Sequence, residues 1–427
     1  MTPITHFVLT PVGSGGDVRP FAGIGRELVR RGHRVTLMTA EPFRRFAEEG
    51  GMRFVSTWPA EEYERQVLDP DLWHPRRGIR SILRIVAGNL ERAWSLLDES
   101  VGETRPILVA HSLSFPTRSF GEKNGLATAT IHLAPGVFRS RTDAPVVAAG
   151  LELGRLPAPL FDLFWRGVDR LVIDPPLLPA YNRLRADHGL PPVSRLFGDE
   201  MHRSDLLLGL FPEWFARPQP EWPRQTKLTG FPLVRFDSED LTPSLDAWLL
   251  DGPAPIVFTA GTANRQASGF FNTAIETAGR SGRRALLLTG WREQIPPVLP
   301  QGVRYEPFAP LHQLLPRAAA LVHHGGIGTC ASGLAAGAPQ VVMPMAFDQL
   351  DNAARLERLG VGVRLSPRRF EPGRLSAALE SIVESGAVRS ACAAIRDRMA
   401  GEDGIGDACD ELERLAADRQ TREVRQR

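Results

Sequence analysis

The chain is 427 residues long, 43% hydrophobic and 23% charged, with 51 basic against 49 acidic residues and a formal net charge of +2. That length predicts two domains, each with a sizeable core, and the near balance of charge excludes the concentrated basic excess on which nucleic-acid binding rests. Three cysteines, Cys330, Cys392 and Cys409, stand in no metal-ligand spacing and predict a reducing compartment without a disulfide framework.

Met1 to Thr10 contains no basic segment followed by an apolar run of signal-peptide length. No later apolar run approaches the roughly 20 residues that span a bilayer. The chain therefore reads as cytoplasmic, with peripheral membrane contact left open. Phe7 to Pro11 predicts a buried strand, Gly13 to Gly16 a flexible loop, and Val18, Phe21, Ile24 and Leu28 recur at helical spacing. Pro20 falls in the first turn of that helix and Gly32 at its stop. Val35 to Thr39 is the next strand, completing a βαβ unit of a parallel sheet. Ile79 to Leu97 reads as one helix, Ile107 to His111 and Ala127 to Leu133 as strands, and Leu206 to Phe211 as the last strand of the first half.

A proline-rich passage, Pro212 to Pro232, and the acidic segment Asp237 to Asp251 predict a linker. Strands then resume at Ile256 to Thr259, Ala285 to Thr289, Ala320 to His323 and Gln340 to Pro344, and the end of the sequence from Asp407 is a charged helix. The expected architecture is α/β, two doubly wound Rossmann-like domains facing a central cleft. Residues 1–235 form the first domain, 236–251 the linker, 252–406 the second domain, and 407–427 a helix free to pack back on the first. Ligands of such sheets bind beyond the carboxyl ends of the strands, where the strand order reverses.

Chemistry concentrates in two glycine-rich loops. His323-His324-Gly325-Gly326-Ile327-Gly328-Thr329 lies between a strand and a helix. Its glycines let backbone amides approach an anion, and the helix start supplies free N–H groups and partial positive charge. A tight packing turn would use the same glycines, and no Gly-Lys-Ser/Thr follows to make it a Walker loop. Twenty residues on, Asp348-Gln349 pairs an acceptor-only carboxylate with an amide that both donates and accepts, a good grip on vicinal sugar hydroxyls, although such a pair also suits a turn or helix cap. The other loop, Gly13-Ser14-Gly15-Gly16-Asp17, has Val18 where a dinucleotide fingerprint needs glycine, which weakens an oxidoreductase reading.

From His324-Gly-Gly-Ile-Gly-Thr through Gly337-Ala-Pro to Asp348-Gln-Leu-Asp-Asn352, the sequence resembles the donor signature of the GT-B-fold glycosyltransferases of family 1. The resemblance covers nearly the whole sequence. It implies that His324, Gly325, Gly326, Gly328 and Thr329, with the Gly261-Thr262 loop, bind a diphosphate, and that Asp348 and Gln349 hold the donor sugar. Phe308-Ala309 matches the stretch that packs on the nucleobase. Asp17 matches the catalytic base of the branch carrying Gly-(Ser/Thr)-x-Gly-Asp, with Ser14, Gly15 and Gly16 in the acceptor loop; the alternative for Asp17 is a helix N-cap. Two departures stand out. Leu311 replaces a common glutamine, and Ser332 occupies the place of a glutamate that grips both ribose hydroxyls, a loss that costs a dTDP donor less than a UDP donor.

The segments Asp69 to Trp73, Leu210 to Phe215 and Thr229 to Leu233 look like the bacterial rhamnosyltransferases of rhamnolipid synthesis. The implied reaction is inverting, metal-independent transfer of a hexose, with dTDP-L-rhamnose as donor and a hydroxylated fatty-acyl or other apolar acceptor. No cofactor and no metal are expected, and Asp69-Pro70-Asp71 reads as a solvated turn. UDP-glucose with a sterol or natural-product acceptor is the alternative. A sugar-nucleotide epimerase and a silent activating partner are rival classes. Trp73, Trp94, Phe115, Phe161 and Trp165 are acceptor-contact candidates, although ordinary packing explains each better; His111 and His132, single histidines after strands, could line the cleft but read first as structural.

Overall fold

In a computed structural model of the protein, the described residues are 4–102, 104–148, 151, 153–236 and 239–426. Met1 to Pro3, Asp237 and Ser238 of the expected linker, and Arg427 of the expected terminal helix lie outside them. Among the described residues, thirteen strands form two sheets, parallel throughout. The first contains β1 (His6–Thr10), β2 (Arg34–Thr39), β3 (Arg53–Ser56), β4 (Ile107–His111), β5 (Thr128–His132), β6 (Leu206–Gly209) and β7 (Thr226–Leu228), in the order β3-β2-β1-β4-β5-β6-β7. The second contains β8 (Ile256–Thr259), β9 (Ala285–Leu288), β10 (Val303–Glu306), β11 (Ala320–His323), β12 (Gln340–Val342) and β13 (Gly362–Arg364), in the order β10-β9-β8-β11-β12-β13.

Both faces of each sheet are covered, which is why the central strands are apolar without alternation. In β1, Phe7 and Leu9 join a core with Leu37, Val109, Ile131 and Leu208. Val8, pointing the other way, joins a separate core with Met38, Leu83 and Leu108. In β8, Ile256 and Phe258 face one core, while Val257 faces another. Both orders reverse at the middle: between β1 and β4 in the first sheet, and between β8 and β11 in the second. Those two switch points fix where a ligand can reach the carboxyl ends of two neighbouring strands.

The linker differs from its sequence reading. Pro243–Leu250 is a helix whose Thr242 side chain accepts from Leu245 N–H, with proline in its first turn. Leu245 and Leu249 pack against Val257 and Leu286, so the segment belongs to the second lobe's core. The span read as one helix is two, Gly78–Ala87 and Leu90–Val101, interrupted at Gly88-Asn89. β7 also follows the strand expected to end the first half.

The terminal helix Gly404–Gln426 crosses back to the first lobe, where Ala408, Cys409 and Leu412 join the core of Phe21, Ile24 and Leu28 on helix α1 (Gly15–Arg30). Gly23 of α1 makes this approach possible, since a Cβ there would lie 2.7 Å from Val234 and 3.1 Å from Ile405. A second bridge between the lobes is polar. Arg355, 3% exposed, bonds Asp351 at 2.8 Å and Asp143 of the first lobe at 2.7 Å. No described helix is long and apolar enough to cross a membrane.

Candidate active site

Asp17 is held at the start of α1 by a reciprocal cap. Ser14 is the N-cap, and its backbone N–H and hydroxyl donate to Asp17 Oδ2 at 2.7 and 3.0 Å. The cap is therefore Ser14, and Asp17 is the third helical residue that closes the capping box. Gly13, at φ +134°, is required here, because a Cβ would sit 2.2 Å from Oδ2. This arrangement leaves Oδ1 for other chemistry. Burial outweighs the two Ser14 hydrogen bonds and raises the Asp17 pKa to about 6, although 32% of the side chain still meets solvent.

His111 at the end of β4 faces that free oxygen, with Nε2 3.8 Å from Oδ1. Its Nδ1 accepts from Leu113 N–H at 3.3 Å, which places the ring proton on Nε2. Burial, helped by the Arg118 charge, lowers its pKa to about 3, so the ring is neutral at pH 7. Sequence reasoning allows His111 a place in the cleft but reads it first as structural. Its position on β4, beside β1 at the switch point, was the available signal. His132 is structural: fully buried, it bonds Ser112 at 2.8 Å and His202 at 3.2 Å.

Across the cleft, the loops after β8, β11 and β12 converge. Gly15 of the first lobe comes so close to the second that a Cβ would lie 3.5 Å from Thr262 Oγ1. His324 lies between two glycines, since a Cβ at Gly261 would meet its Cε1 at 2.8 Å and one at Gly326 its Nε2 at 2.5 Å. Burial lowers its pKa to about 4, against a smaller opposing pull from the Thr259 carbonyl, and Nδ1 makes no hydrogen bond of good geometry. The helix Ile327–Ala336 begins at Gly326 with no side-chain cap, and open space surrounds Gly328. An uncapped helix start with the Nε2 edge of an imidazole beside its first glycine suits an anion.

Asp348 precedes the helix Gln349–Arg358. Burial raises its pKa to about 6, Asn352 opposes this by donating to Oδ2 at 2.7 Å, and repulsion from Asp17 adds to it. The two carboxylates thus sense one another across the cleft. Gln349 is less free than its sequence reading implies, because its Oε1 accepts from Met345 and Ala346 N–H at 2.8 and 3.0 Å. Its NH₂ group is what remains for a ligand. Phe308 is 46% exposed just beyond β10, and Ala309 beside it is buried. Ser332 Oγ donates to Gly328 O on its own helix at 2.9 Å.

Of the aromatic candidates, Trp73 reaches the cleft, donating from Nε1 to the Ala263 carbonyl at 3.3 Å. Trp94 and Phe115 lie in the first lobe's core, and Phe161 and Trp165 form a small cluster with Leu153. An apolar chamber opens instead beside Gly13, lined by Val12, Met38, Val86, Leu90, Leu97 and Leu113. Asp69 and Asp71 form a local turn tied to Arg77. Among the described residues no group of three or more His, Cys, Asp or Glu side chains is placed to hold a metal ion.

Each lobe matches a family model: the glycosyltransferase family 28 N-terminal domain over residues 7–140, and the erythromycin biosynthesis protein CIII-like C-terminal domain over residues 289–415. The chain is 29% identical to O-mycaminosyltylonolide 6-deoxyallosyltransferase of Streptomyces fradiae, over 97% of this chain and 99% of that relative. It is also 29% identical to 4'-demethylrebeccamycin synthase of Lentzea aerocolonigenes, over 94% and 97%. Sterol 3-beta-glucosyltransferase of Yarrowia lipolytica is 26% identical over 93% of this chain, which spans 28% of that protein. The crystallised glycotransferase of kitacinnamycin has a TM-score of 0.75 at 22% identity, covering 97% of this chain and 99% of that one. The glycosyltransferase VinC in complex with dTDP has a TM-score of 0.68 at 18% identity, covering 97% and 100%.

Two Rossmann-like lobes with these loops at their switch points are the GT-B fold, and the protein is a glycosyltransferase. More particularly, its first lobe is similar to the N-terminal domain of the family 28 type and its second to the C-terminal domain of the erythromycin CIII type.

Proposed function

We propose that the protein transfers a 6-deoxyhexose from a dTDP-sugar to a hydroxyl of an apolar natural product, with inversion and without a metal ion. The observation that carries this reading is the confrontation of Asp17 and His111 at one switch point with the His324 loop and Asp348 at the other. The acceptor hydroxyl enters from the apolar chamber and bridges the 3.8 Å gap, accepting from His111 Nε2–H and donating to Asp17 Oδ1. As its oxygen bonds to the anomeric carbon, Asp17 takes the proton and the bond from that carbon to the diphosphate oxygen breaks. The diphosphate's growing charge falls on His324 and the uncapped amides at Ile327 and Gly328. Base and leaving group sit on opposite lobes, so attack comes from the face opposite the departing diphosphate, and configuration inverts.

Three features support the donor and acceptor. Ser332 turns its hydroxyl to its own helix, which leaves no carboxylate clamp for two ribose hydroxyls and suits a deoxyribose nucleotide. The names of two full-length relatives, one a 6-deoxyallosyltransferase, favour a natural-product acceptor over a fatty-acyl one. The resemblance of Asp69 to Trp73 and its companion segments to rhamnosyltransferases makes L-rhamnose the first sugar to test. A panel of dTDP- and UDP-sugars scored by thermal shift checks the reading. Stabilisation by dTDP-6-deoxyhexoses is expected; stabilisation by UDP-glucose alone would favour the sterol-type alternative and overturn the donor assignment.

A further inference from the structure

Trp73 belongs to the first lobe, yet the contacts that mark it out are with the second. Its indole N–H donates to Ala263 after β8, its ring meets His324 after β11 edge-on at 6.4 Å, and it meets Phe347 after β12 at 5.8 Å and 71°. All three donor-side loops therefore share one side chain from the opposite lobe. Phe347 is itself constrained, being the one non-glycine residue with positive φ, 58°, among the described residues. An aromatic side chain rarely holds that conformation, and such strain gathers at functional sites. Its ring reaches back to the first lobe, where a Cβ on Gly78 would lie 3.3 Å from Cζ. The constrained residue directly precedes Asp348.

We propose that Trp73 and Phe347 form the wall against which the donor sugar lies, and that this wall selects a hexose without a 6-hydroxyl. The inference rests on the functional reading above. Polar groups left to a sugar in this corner are few. Asn352 holds Asp348 Oδ2, which leaves Oδ1, and the backbone at Met345 and Ala346 occupies Gln349 Oε1, which leaves the NH₂. Those two groups suit adjacent ring hydroxyls. The remaining edge of the sugar meets indole and phenyl carbons, where a hydroxymethyl group loses water without gaining a partner and a methyl group gains burial.

The test compares calorimetric affinities of dTDP-6-deoxyglucose, dTDP-glucose and dTDP for the wild-type protein, Trp73→Ala and Trp73→Phe, with thermal midpoints recorded for all three proteins. The wild type should bind the deoxy donor roughly 10- to 100-fold more tightly than its hydroxylated twin. Trp73→Ala should bring that ratio to about one with dTDP affinity unchanged, and Trp73→Phe should keep it. An unchanged ratio in Trp73→Ala, or a parallel loss for both donors and dTDP, would overturn the inference. Failure of the wild type to bind either donor would overturn the functional reading and this inference with it.

Discussion

Oδ1 of Asp17 and Nε2 of His111 stand 3.8 Å apart, too far to bond each other and near enough for one hydroxyl oxygen to bond both. The other Asp17 oxygen is tied to Ser14, so the carboxylate divides its two oxygens between holding the helix and meeting the substrate. Asp17→Asn keeps an acceptor for Ser14 and removes the base. Turnover should fall roughly 10²- to 10⁴-fold while donor affinity holds within about twofold; retained turnover would remove Asp17 from the base role.

The same substitution should stabilise the fold at neutral pH. Asp17 and Asp348 are both raised to about 6 in the folded protein, from 3.8. Between those values the folded state holds more protons than the unfolded one, so each group's contribution to stability is lost as pH rises through about 6. Neutralising Asp17 should add on the order of 1 kcal/mol at pH 7.5 and much less at pH 4, readable as a thermal midpoint at each pH. An equal gain at both pH values would contradict the raised pKa. The rate should show the matching acid limb, with kcat/KM falling as pH drops through about 6.

His111 orients the nucleophile through one N–H. His111→Ala should lower kcat roughly 10- to 100-fold, and His111→Gln should recover part of it by restoring a donor. Equal activity in both variants would assign His111 to packing alone. Because the ring is neutral at working pH, it should add no basic limb to the pH profile.

His324→Ala should weaken free dTDP roughly 10- to 100-fold in calorimetry, the range of a hydrogen bond to a charged group. Unchanged affinity would take His324 out of the diphosphate site. Activity should also persist in EDTA, and a strict requirement for added Mg²⁺ would contradict a metal-free mechanism.

Much of the fold was legible because its central strands are buried on both faces and read as continuous apolar runs. The four strands that sequence reading missed, β3, β7, β10 and β13, are the four sheet edges. Segments such as Arg53-Phe54-Val55-Ser56 and Gly362-Val363-Arg364 are half exposed and mixed in polarity, so periodicity had little to register. The Pro243–Leu250 helix was signalled by Thr242 and Pro243, but its acidic, proline-rich flanks suggested a linker. Loop glycines marked both switch points. The partnership of Asp17 with His111, and of Trp73 with Phe347, joins residues roughly 90 and 270 positions apart, and nothing local announces such pairs.

A crystal structure of the protein soaked with dTDP bears most directly on the account. The diphosphate should lie within hydrogen-bond distance of His324 and the amides at Ile327 and Gly328, with its outer phosphate turned toward Asp17. A diphosphate bound away from that helix start, or one held through a metal ion, would contradict it.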